Sequence, residues 1–349
     1  MQFFLTMLQG GVQELLTYLS AHVITCLVPA FFIAGAMAVL ITQGAVIKYF
    51  GVQAKRWLAY GVASISGMLL AVCSCTVLPL FAGIYSLGAG LGPAVAFLYS
   101  GPAINILAIA LTGAAIGWKM GIARGVGAVL FSILIGLIMA LLFRRDEERR
   151  IADIEALPHE TSEKSSTFLV VFFGIMVTIL IISTSKLTPW IKVAIDLALI
   201  NSLAIMVHHY FEPGEFQSWM YETWSLVKLV VPTLLVGVFL VGMVTAVLPP
   251  QWISGYVGEN SIGANFAASL IGALFYFSTL TEVPIVKGLM DLGMNQGPAL
   301  ALLLAGPAVS IPNLLVVNRI MGWQRTAAYF ILVVLMATMT GWFYGLLFA

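Results

Sequence analysis

The sequence predicts an all-α polytopic membrane protein built from two homologous halves, with broken or re-entrant helices meeting at the membrane midplane. Three observations predict it. Of 349 residues, 61% are hydrophobic and only 9% charged, against about 25% charged in a soluble domain, and mean hydropathy is +1.03. Apolar runs of the roughly 20 residues needed to span a bilayer recur along the chain. Residues 79–118 align with 284–323 at a constant offset of 205 without a gap. This composition excludes a cytosolic enzyme, a nucleic-acid binder and a disordered scaffold. The net charge of +1 gives no global bias toward charged partners.

The elements follow in order. Residues 1–21 form an N-terminal segment. It has no basic start and Glu14 interrupts it, so it reads as a packed or interfacial helix over 3–19 rather than a cleaved signal. The first half, 22–143, holds apolar segments near 22–43, 57–75, 91–113 and 117–143. Residues 144–166 are charged, beginning Arg144-Arg145-Asp146-Glu147-Glu148-Arg149-Arg150, and are expected to form a solvated cytoplasmic linker. Two linking transmembrane helices fill 167–225. The second half, 226–348, has segments near 226–248, 261–280, 297–317 and 326–348.

The repeat holds 15 identities in 40 positions, most of them Gly or Pro. Pro79 falls on Pro284, Gly92-Pro93-Ala94 on Gly297-Pro298-Ala299, Gly101-Pro102-Ala103 on Gly306-Pro307-Ala308, and Gly117-Trp118 on Gly322-Trp323. The repeated quantity is therefore backbone shape. Proline lacks a backbone donor and breaks helices, and broken helices at membrane depth survive only where protein or a cavity surrounds them. Matching interruptions in two halves are the mark of secondary transporters.

Lysine and arginine distribution bears on orientation. With ten simple crossings the halves are parallel and Arg144, Arg145, Arg149 and Arg150 fall outside. With 57–90 and 261–292 as re-entrant hairpins the halves are inverted. The count is then ten inside against five outside, the five being Lys119, Arg124, Lys186, Lys192 and Lys287, with Lys228 left aside. The inverted arrangement is the expectation.

The first hairpin tip reads Cys73-Ser74-Cys75-Thr76-Val77-Leu78-Pro79. Soft thiolates select soft, thiophilic species, and Ser74 and Thr76 add hydroxyls. The matching Ser278-Thr279-Leu280-Thr281-Glu282-Val283-Pro284 exchanges thiols for the hydroxyls of Ser278, Thr279 and Thr281 and adds an acid, Glu282. An ionisable group at membrane depth is costly and marks function, so Glu282 is the candidate coupling residue. Asn105 and Ser310 occupy equivalent places after the repeated Gly-Pro-Ala, with Asn313 one turn on. These residues are expected to bind substrate. Pro79, Gly101, Pro102, Pro284, Gly306 and Pro307 shape the pathway backbone. Cys26 reads as a small buried hydrophobe, Asp196 as a weaker candidate, and His208-His209 as a wet helix end. No metal site, cofactor or catalytic residue is expected. There is no phosphate-binding G-x-x-x-x-G-K-[ST] loop.

Cys-Ser-Cys-x-x-x-Pro-Leu at 73–80, Gly-Ala-Gly-Leu-Gly-Pro-Ala at 88–94 and Ser-Gly-Pro-Ala-Ile-Asn at 100–105 resemble the predicted permease family that includes the ArsP organoarsenical efflux permeases. The resemblance covers most of the chain. It implies an integral protein of a prokaryotic cytoplasmic (inner) membrane, efflux and arsenic resistance, a trivalent organoarsenical such as methylarsenite as substrate, and Cys73 and Cys75 as its contacts. Methylarsenite has two exchangeable positions on arsenic, so two thiols suffice. A membrane thiol oxidoreductase using Cys73 and Cys75, and a channel of the same fold, are the alternatives.

Overall fold

The computed structural model describes residues 2–19, 28–40, 55, 58–64, 74–104, 106–155, 166–184, 188–212, 214–246, 257–275 and 282–348. The regular structure among the described residues is helical. The N-terminal region contributes α1 (Gln2–Tyr18) and α2 (Val28–Leu40). The first half continues with α3 (Ser74–Ser86), α4 (Leu91–Ala103), α5 (Ile106–Ala115) and α6 (Trp118–Leu142). The connection holds α7 (Arg144–Glu155), α8 (Ser166–Thr184) and α9 (Pro189–Tyr210). The second half comprises α10 (Glu215–Thr245), α11 (Ile262–Leu274), α12 (Glu282–Asp291), α13 (Gln296–Ala305), α14 (Ile311–Met321) and α15 (Trp323–Phe348).

Four of these helices are long and apolar enough to cross a membrane: α6, α9, α10 and α15. At about 1.5 Å per residue, the 26 residues of α15 run about 39 Å. The 13 residues of α3, α4 or α11 reach about half that depth. The predicted span 91–113 is two helices, α4 and α5, bent by 42° just after Gly101-Pro102-Ala103. The segment 297–317 likewise breaks into α13 and α14 across 306–310. Pro102 and Pro307 supply no backbone donor there, so the helical ladder lapses where the pattern placed its interruption.

The half-length helices form hairpins. Asn295 donates its backbone N–H to the Val257 carbonyl at 3.1 Å. The turn after α12 thus lies beside the approach to α11, and the chain enters and leaves on one side. At the inner end, a Cβ on Gly272 of α11 would lie 3.3 Å from the Gly306 nitrogen. In the first half α3 and α4 make the matching turn. Gly88 (φ 96°) and Gly293 (φ 105°) occupy repeat-equivalent places. Ala89 donates to Ile84 and Met294 to Leu289, at 3.0 and 2.9 Å, closing the same left-handed helix cap that glycine permits.

The core contacts repeat as well. A Cβ on Gly136 of α6 would lie 2.6 Å from the Gly92 carbonyl, and one on Gly341 of α15 would lie 2.6 Å from the Gly297 carbonyl. Both pairs keep the offset of 205. Small residues let the hairpin helix lie directly on the long one. The buried hydroxyl pairs Ser64–Ser132, at 2.9 Å, and Thr338–Ser269, at 3.2 Å, match to within one position.

The equivalent long helices α6 and α15 lie side by side in opposite directions. Lys119, at the start of α6, sits over the Phe348 ring at the end of α15, 5.6 Å from its centre. A Cβ on Gly127 would be 3.8 Å from Thr340, and Arg325 stands 5.9 Å from the Phe143 ring centre. The α3–α4 turn lies at the Phe143 end, where Arg150 reaches the Ala89 carbonyl at 2.6 Å. The α12–α13 turn lies at the opposite end, where Asn260 donates to the Trp342 carbonyl at 3.1 Å.

In the charged linker, residues 144–155 form a helix, α7, whose charged side chains are mostly exposed, but Glu147 is only 3% exposed. Its Oε1 accepts from the Leu91 N–H at 3.1 Å and from Arg150 Nε at 3.0 Å. An unsatisfied helix N-terminus draws a carboxylate, and the arginines beside it offset burial of the charge. Elsewhere α1 lies on α10, with Gly10 and Gly11 closing on Gly242 and Phe239. Trp219 Nε1 donates to the Phe32 carbonyl at 2.8 Å within an aromatic cluster that includes Phe172 and Phe211. The outward-facing α9 carries Trp190 and Tyr210 at its two ends, both exposed, as interfacial aromatics do.

Candidate functional site

Helix α5 and the inner end of α12 meet at Arg124, about a quarter of the way along α6. Glu282 opens α12 and is fully buried. Its Oε2 accepts from Arg124 Nη2 at 3.0 Å. Arg124 lies six residues into α6, also fully buried, and its Nη1 donates to Thr112 Oγ1 of α5 at 3.0 Å. The ion pair thus joins the halves: the base belongs to a long helix of the first, the acid to a hairpin tip of the second. The other carboxylate oxygen, Oε1, lacks a hydrogen-bond partner among the described residues, as does Arg124 Nε. A Cβ on Gly306 would lie 2.5 Å from that oxygen, so a larger residue at this point of the repeated Gly-Pro-Ala would push the carboxylate aside.

One tyrosine stands beside the pair and a second stands behind the first. Tyr99 of α4 donates to the Leu304 carbonyl at 3.2 Å, and Tyr329 of α15 donates to the Ala308 carbonyl at 3.1 Å. Both accepting carbonyls lie close to the break between α13 and α14, where main-chain oxygens lose their helical partners. Removing either member of a buried ion pair leaves a bare charge costing several kcal/mol. The arrangement therefore holds together only while both charges, or neither, are present.

The sequence-derived candidates fall into three groups. Glu282, Gly306 and Pro307 lie at this centre. Ser310 and Asn313, 1% and 4% exposed, sit at the N-terminus of α14, with Ser310 Oγ and Asn313 Oδ1 unpartnered among the described residues. Thr76 is fully buried in the first turn of α3, Pro79 lies inside that helix, and Gly101 and Pro102 close α4. Pro284 falls in the first turn of α12, where proline costs little. Cys26, Cys73, Asn105, Ser278, Thr279 and Thr281 lie outside the described residues, and Ser74 and Cys75 are described in backbone only. Asp196 accepts from Ser183 at 3.0 Å, away from this centre, and His208 and His209 end α9 in exposed positions.

Arg124 is the residue that sequence reasoning missed. The charge distribution places it in an outer loop; the structure instead buries it against Glu282, 158 positions away. A signal existed. Beyond Lys119 at its start, α6 carries no other lysine or arginine, and an arginine inside an apolar span is expensive enough to demand a partner.

A family described as predicted permease, ArsP_1, matches residues 9–346. The chain belongs to this family. Among its relatives is the UPF0718 protein MJ0584 of Methanocaldococcus jannaschii, 42% identical across 99% of this chain and 98% of that one. The UPF0718 protein YraQ of Escherichia coli is 24% identical over 80% of this chain and 65% of its own length. The UPF0718 protein YcgR of Bacillus subtilis is 22% identical over 75% and 72% respectively. No solved structure matches. Membership supports a membrane-embedded permease acting on a small molecule.

Proposed function

We infer that the protein is a secondary permease of a prokaryotic inner membrane that exports trivalent organoarsenicals, methylarsenite among them, or another thiophilic small molecule. The observation that carries the permease reading is the buried Arg124–Glu282 pair, which ties two repeat halves together where their helices break. A charge pair at such a place is costly unless transport uses it. The halves insert in opposite senses. In support, α6 and α15 run antiparallel, the two hairpin turns lie at opposite ends of them, and withdrawing Arg124 from the outer loops leaves ten lysines and arginines inside against four outside.

In this reading Cys73 and Cys75 hold the cargo from the α3 side, and Ser74, Thr76 and Asn105 line the same path. Ser278, Thr279, Thr281, Ser310 and Asn313 line the other wall. Thiol contacts exchange readily when a second thiol can attack, which suits a site that must release what it binds. The test is methylarsenite uptake by everted membrane vesicles, wild type beside Cys73→Ser/Cys75→Ser. Wild-type uptake is expected, with a loss of at least tenfold in the double variant. Equal uptake by both would discard the thiol site, and absence of uptake by an intact wild type would discard the arsenical.

A further inference from the structure

The repeat gives each charged residue of the central site an uncharged counterpart in the other half. The offset of 205 carries Arg124 onto Tyr329 and Glu282 back onto Val77. Tyr329 is buried and bonded to the Ala308 carbonyl, and Val77 is buried in α3. The architecture is thus satisfied by a tyrosine and a valine at these places and does not itself require charges. Buried ion pairs can commonly be replaced by apolar groups without loss of stability. A charged pair whose repeat counterparts are uncharged is kept for exchange.

We propose that Arg124 and Glu282 form a single proton-exchange site, loading one proton per transport cycle and admitting no sodium. This rests on reading the chain as a permease. The unpartnered Oε1 of Glu282 can take a proton without surrendering a hydrogen bond. The carboxylate and a proton become a neutral carboxyl; Arg124 keeps its charge and its bond to Thr112. The electrostatic tie between the halves is then lost. A sodium ion would have to settle beside a guanidinium that never deprotonates, with like charges a few ångströms apart at low dielectric.

Among the described residues the ionisable surroundings are few. Arg124 faces Glu282 from α6 and Tyr99 from α4; Thr112 of α5 and the backbone of Gly306 add no titrating group, and Tyr329 stands behind Tyr99. On α12 itself Lys287 and Asp291 pair with each other at 2.6 Å on the outer face.

The test needs no cargo. Purified protein in nanodiscs is titrated by infrared difference spectroscopy. The carbonyl stretch of a protonated carboxyl grows as pH falls, reverses as it rises, is absent from Glu282→Gln, and ignores sodium at fixed pH. The variant Arg124→Tyr/Glu282→Val, which copies the neutral counterparts, melts no lower than wild type and lacks the band. Wild-type and Glu282→Gln spectra that coincide at every pH would overturn the proposal. So would a carboxylate band shifted by sodium, or a double variant that fails to fold. A protonating Glu282 in a protein that moves no methylarsenite would count against the cargo alone. Methylarsenite uptake undiminished in Glu282→Gln would count against the proton site alone.

Discussion

The two hairpin turns are built on one backbone plan and fastened by different chemistry. At the α3–α4 turn, the helix N-cap is Gly90, which offers no side chain, and the α4 N-terminus is capped from the linker by Glu147. Arg150 binds that carboxylate and the carbonyls of Tyr85 and Ala89, and Arg325 of α15 approaches Glu147 Oε2 at 3.7 Å. At the α12–α13 turn the equivalent residue is Asn295, whose own side chain accepts from the Gly297 N–H at 3.2 Å. Around it the fastening is amide to amide: Asn265 donates to Asn260 at 2.9 Å, and Asn260 to Trp342. The charged clasp joins the first hairpin, the linker and the second half. The amide clasp joins parts of the second half only. One end of the molecule is thus held by ion pairs, which added salt screens, the other by neutral amide contacts that salt leaves alone.

The largest way to break this contrast is Glu147→Gln. It strands Arg150 and Arg325, whose side chains are about one-fifth exposed, and should cost about 2–4 kcal/mol, somewhat less than breaking a fully buried pair. Thermal unfolding in detergent measures it. Added salt should lower the wild-type midpoint and leave the variant's unmoved; equal midpoints for both proteins would dissolve the clasp. A middle-sized test asks whether the repeat is energetically as well as geometrically even. Gly136→Ala and Gly341→Ala each drive a methyl onto the carbonyl of Gly92 or Gly297, and each should cost about 1–3 kcal/mol by overpacking. If only one of the two is destabilised, the halves do not share their packing. The smallest effect belongs to Asn295→Ala, which removes one cap and should cost about 1 kcal/mol. Chemical denaturation resolves it, and a stability unchanged within error would show that the cap contributes nothing.

Much of the backbone plan could be read in the sequence because Gly and Pro act locally. Gly88 and Gly293 announce left-handed turns, and Pro102 and Pro307 announce breaks, whatever surrounds them. Glu282 was visible for a similar reason: a charge in an apolar run needs no context to look expensive. Its partner was not. Pairing Arg124 with Glu282 requires knowing that α6 passes the tip of a hairpin from the other half, a contact set by tertiary packing. Glu147 was hidden differently. Among seven consecutive charged residues, nothing local distinguishes the one carboxylate that turns inward to cap α4.

The central ion pair is mounted unevenly. Arg124 stands on α6, a continuous 25-residue helix gripped along its length by α4, α5 and α15. Glu282 stands on the first turn of a ten-residue helix whose far end is a turn. The base is a post and the acid the tip of a short lever. Under the proposed protonation the short helix is the less anchored partner, and the reading of charge and the opening of a path fall to the same small piece of chain.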